Sequence, residues 1–90
     1  MSIKELKRRV QYSTVHPILG SEEDRVRRRE AIEAYLKAIN YGDNRDYPKI
    51  RFYYEDTSQT TVTAWARDVF TAKAVMELKG IKRITHIEKD

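Results

Sequence analysis

Ninety residues carrying 18 Lys and Arg against 14 Asp and Glu, a net charge of +4, predict one small domain spanning 1–90 with a thin core. The absence of cysteine excludes disulfides, thiolate metal sites and cysteine nucleophiles. No apolar run approaches the roughly 20 residues of a membrane span, and MSIKELKRRV has no apolar h-region, so the expectation is a cytoplasmic protein without membrane contact.

Ser2 followed by Glu5 fits a capping box that opens a first helix, with Ile3, Leu6 and Val10 on one stripe. That helix must end before His16-Pro17, because proline disfavours helical geometry in the residue preceding it, and Gly20 completes the break. Ser21 caps a second helix, where Glu22, Glu23 and Asp24 complement the positive end of the dipole. Ile32, Tyr35, Leu36 and Ile39 form its apolar stripe, and Gly42 is the expected stop. The run 43–48 has loop chemistry and lacks the alternating oxygen ligands and closing Glu of a calcium loop.

Strict alternation then predicts strands over 49–55 and 61–67, joined as a hairpin through 56–60. Asp68 or Thr71 caps a third helix containing Ala72, Val75, Met76 and Leu78, ended by Gly80 with Ile81 as its hydrophobic contact. A last strand covers 83–88. The order is α-α-β-β-α-β. A helical crossover returns the chain parallel to the strand before it, so a last strand beside the first gives a three-stranded antiparallel sheet of order 2-1-3. The expected class is α+β, with the helices packed on one sheet face.

Two surfaces are candidate sites. On the second helix, Arg25, Arg28 and Arg29 fall within about 60° of Ile32, whereas Arg27 points to the back. Pairs such as Glu22–Arg25, Asp24–Arg28, Glu23–Arg27 and Arg29–Glu33 could neutralise these charges at about 0.2–0.5 kcal/mol each. Pairing accounts for the charges and not for their angle, which suits a contact surface. The other surface is the outer hairpin face. An odd-numbered connection puts Arg51, Tyr53, Thr63, Trp65 and Arg67 together, whereas an even one puts Trp65 with Phe52 in the core. Exposed Tyr, Trp and Arg could anchor a protein partner or stack nucleic-acid bases.

Chemistry-bearing motifs are sparse. His86 and Glu88 project from the same side of a strand and could form a base with its orienting acid, although a polar strand surface is the commoner meaning. With three glycines, there is no glycine-rich loop, nucleophile motif or metal-ligand spacing. The excess positive charge sits in the first twenty residues, four bases against one acid, narrower than the field of a dedicated nucleic-acid binder. The sequence therefore predicts a small non-enzymatic interaction module, without cofactor or metal, that docks on a protein partner. The alternative is an RNA- or DNA-binding module using the basic N-terminal helix with Arg25, Arg28 and Arg29.

Overall fold

A computed structural model describes residues 2–16, 18–42, 44–54, 61–81 and 84–89. The elements are α1 (Ile3–Tyr12), α2 (Glu22–Ala38), β1 (Lys49–Tyr54), β2 (Thr61–Trp65), α3 (Val69–Leu78) and β3 (Ile84–Lys89), in the predicted order. They group into two compact units, Met1–Tyr41 and Gly42–Asp90. Asp43, Glu55, Arg83 and the 56–60 connection lie outside the described residues. Among the described residues no helix is long and apolar enough to cross a membrane.

The first unit is a helical pair. Ser2 Oγ accepts the Glu5 amide at 3.2 Å, which starts α1 where the sequence places it, and Leu6 and Val10 are buried. The turn to α2 is built on His16, whose Nδ1 accepts the amides of Ile18 at 3.1 Å and Leu19 at 2.9 Å. Its carbonyl accepts the Gly20 amide at 2.9 Å. A Cβ at Gly20 would overlap the Val15 side chain and lie 2.6 Å from the His16 carbonyl, so only glycine fits there.

At the start of α2 the capping box is complete: Ser21 Oγ accepts the Asp24 amide at 3.2 Å, and Asp24 Oδ2 accepts the Ser21 amide at 3.3 Å. Ser21→Ala should therefore lower unfolding free energy by about 0.5–2 kcal/mol, read from the urea midpoint at unchanged slope. A midpoint equal to the parent's would mean that the cap contributes nothing.

The end of α2 differs from the sequence expectation. Asn40, at φ 55°, takes the left-handed position, two residues before Gly42. Tyr41 N–H donates to the Leu36 carbonyl at 3.0 Å and Asn40 N–H to the Lys37 carbonyl at 3.1 Å, the bond pair of a Schellman ending. Asparagine tolerates that conformation better than other residues with a Cβ, so no glycine is required.

The second unit is a three-stranded sheet, ordered β2-β1-β3, with both pairings antiparallel. β2 and β3 thus run parallel on either side of β1, as the crossover through α3 demands. Asp68, not Thr71, caps α3: its carboxylate accepts the Thr71 amide at 2.7 Å and the Thr71 hydroxyl at 3.1 Å. Gly80, at φ 87°, ends the helix, with Gly80 N–H on the Glu77 carbonyl and Ile81 N–H on that of Met76. The core lies on one sheet face, where Ile50, Phe52, Ala64 and Ala66 are buried. α3 packs along β2 and buries Ala72, Ala74, Val75 and Met76.

Candidate functional site

The hairpin register decides the site. Lys49 lies opposite Trp65, Arg51 opposite Thr63 and Tyr53 opposite Thr61, which is the odd-numbered register. Directly opposed residues of an antiparallel pair share a face. Arg51, Tyr53, Thr63 and Trp65 therefore stand together, away from the buried Ile50 and Phe52, and all four are half-buried. β3 extends the same face, with Glu88 opposite Arg51 and His86 opposite Tyr53.

Cation and ring alternate across this surface. Lys49 Nζ sits 5.9 Å from the centre of the Trp65 ring. One row further, beyond the end of β2, the Arg67 guanidinium lies 4.9 Å from the centre of the Tyr47 ring. At partly exposed sites such contacts are worth about 0.5–1 kcal/mol each, enough to orient a side chain. At the other end, Tyr53 Oη donates to Glu88 Oε2 at 2.9 Å. The Tyr53 and His86 rings are 5.4 Å apart, and His86 Nε2 is 3.6 Å from Glu88 Oε1. Among the described residues the surface thus holds three cations, one carboxylate, three aromatic rings and one imidazole.

Lys49, Tyr47, His86 and Glu88 complete a surface for which the sequence had offered Arg51, Tyr53, Thr63, Trp65 and Arg67. Lys49 was visible in the alternation of β1. The β3 members needed the register of the second pairing, which includes a bulge between Tyr53 and Tyr54. Thr85 is the extra residue there, and its hydroxyl donates to the Tyr53 carbonyl at 3.1 Å.

The three arginines of α2 separate. Arg28 Nη1 donates to the Val10 carbonyl at 2.9 Å and lies 3.5 Å from Ser13 Oγ, so it serves the C-terminal end of α1. Arg25 and Arg29 are exposed. Arg27 pairs with Asp24 at 3.6 Å, an exposed pair worth little. The split follows from angle: the buried Ile32 and Tyr35 define the direction of burial, and Arg28 lies between them around the helix, whereas Arg25 and Arg29 lie to one side.

A shallow hollow of about 310 Å³ is lined by Lys73, Ile84, Thr85, His86 and Ile87. His86 and Glu88 meet as the sequence suggested, and both are exposed. Among the described residues no three His, Asp or Glu side chains converge as metal ligands would. No protein-family model matches this sequence, and comparison with curated proteins and with solved structures returned no significant match.

Proposed function

We propose that this chain is a small non-enzymatic interaction module of the cytoplasm that docks on a protein partner through the open face of its sheet. Trp65 and Tyr53 are the anchors, Arg51 and Lys49 the flanking charges, and Arg67 on Tyr47 the rim. Exposed Arg25 and Arg29 offer a second basic contact. The observation that carries the reading is the register, which puts Trp65, Arg51 and Tyr53 on one face, opposite to that of the buried Ile50 and Phe52. Trp, Tyr and Arg are the residues that dominate protein interfaces.

A nucleic-acid platform would need rings free for stacking and an unbroken basic field. Here Lys49 lies over Trp65, His86 lies against Tyr53, and Glu88 puts a negative charge opposite Arg51. Those features favour a polar protein surface over a phosphate backbone.

The test is capture of partners from source-cell lysate, with and without nuclease, using the parent chain and Trp65→Ala. The substitution should abolish nuclease-resistant capture and cost only about 1 kcal/mol of stability, since a half-buried ring forfeits part of its burial. Addition of the captured partner should shift the Trp65 emission to the blue. Capture indifferent to Trp65 would overturn the reading. Capture lost on nuclease treatment would leave the nucleic-acid module in its place.

A further inference from the structure

The outer edge of β3 has a pattern that complements itself. Ala66 N–H donates to the Pro48 carbonyl at 3.2 Å, so residue 48 directs its backbone towards β2. Backbone direction alternates along a strand, so Ile50 and Phe52 also face β2, while Arg51 and Tyr53 face β3. Their partners Glu88 and His86 therefore spend their amides and carbonyls on β1. Ile87 and Lys89 are left with theirs pointing out of the sheet, at an edge beyond which the sheet has no further strand among the described residues. Such an edge pairs readily with another strand unless its side chains forbid it.

We propose that β3 pairs antiparallel with β3 of a second copy of this chain, with Ile87 opposite Ile87 at a twofold axis perpendicular to the sheet. That register matches the outward groups, since Ile87 exchanges both backbone bonds with its counterpart. It places His86 opposite Glu88 of the second copy and Glu88 opposite its His86, and it sets Lys89 against Thr85. Shifting the centre to His86 brings imidazole against imidazole and puts Glu88 opposite Ile84. Shifting it to Glu88 brings the two carboxylates face to face, and like charges directly opposed are destabilising. Alternation of His86 and Glu88 thus selects one register and one partner, a copy of the same strand.

The consequence reaches the docking face. A twofold axis perpendicular to the sheet keeps the same side up in both copies. The two sheets become one of six strands, with both sets of Lys49, Arg51, Tyr53 and Trp65 on the same side. His86 and Glu88 border the docking residues, so the two proposals are separated by Trp65→Ala, which should abolish capture and leave the pairing of Ile87 and Lys89 unchanged.

The deciding experiment is amide hydrogen exchange by NMR on the full chain over a micromolar-to-millimolar concentration series, alongside sedimentation. Protection at Ile87 and Lys89 should rise with concentration, while His86 and Glu88, bonded to β1, stay protected throughout. The sedimenting mass should move towards twice the 10.7 kDa of one chain. His86→Glu, which opposes two carboxylates at two places, should raise the dissociation constant by about tenfold or more, and His86→Glu with Glu88→Lys should restore it. Circular dichroism of each variant separates loss of pairing from loss of fold. A chain that stays monomeric across the series, or a dimer whose Ile87 amide exchanges at a concentration-independent rate, would overturn the proposal.

Discussion

Phe52→Ala is expected to lower the unfolding free energy by about 3–5 kcal/mol. Phe52 is 0% exposed, sits on the central strand, and lies between Val62 of β2 and Ile87 of β3. Removing the ring leaves a cavity flanked by both neighbouring strands, which cannot close without breaking one of the two ladders. A chain of this size holds only roughly 5–15 kcal/mol in total, so the variant should be partly unfolded at moderate temperature. Urea denaturation followed by circular dichroism measures the loss. A decrease below about 1 kcal/mol would mean that the ring is not enclosed as described.

The second large effect belongs to the helical pair. Ile32→Ala should cost about 2–5 kcal/mol, because Ile32 is 1% exposed and the side chain is truncated to a single methyl. Leu36→Ala should cost clearly less, although the apolar stripe of α2 includes both residues. Burial on α2 centres between Ile32 and Tyr35, and Leu36 lies well to one side and remains half-exposed. Midpoints of the two variants in the same urea series decide the order. Equal losses, or a larger one at Leu36, would place the buried direction of α2 elsewhere.

Much of the fold was legible in the sequence because its signals are local. Ser21 with Asp24, Asp68 ahead of an apolar run, and Gly80 followed by Ile81 each satisfy backbone groups within a few residues, so the fold leaves them little choice. The end of α2 was misplaced for a related reason. Asn40 and Gly42 can both take a left-handed backbone, and the choice lies in which carbonyls of the last turn are reached first. The candidate face was half legible: alternation assigned Arg51 and Tyr53 a common side, and nothing within β1 says which side of β2 joins them.

The sequence by itself determined the order of elements and the starts of the first two helices, because periodicity and N-caps act within one element. It also determined the antiparallel sheet of order 2-1-3 once the last strand lies beside the first, because crossover handedness acts between neighbours. Only the tertiary structure decided the register of the hairpin. Both faces of β2 are apolar enough to be buried, Val62, Ala64 and Ala66 on one and Trp65 on the other. The small alanines take the buried side, where α3, with its own Ala72 and Ala74 buried, packs along β2; an indole there would hold the helix off the sheet. The tertiary structure likewise separated Arg28 from Arg25 and Arg29. The helical wheel brings all three near the apolar stripe, but only the position of α1 puts an acceptor, the Val10 carbonyl, within reach of one of them. Local chemistry sets what each segment becomes, and contacts between residues far apart in the chain set which of its faces are left for a partner.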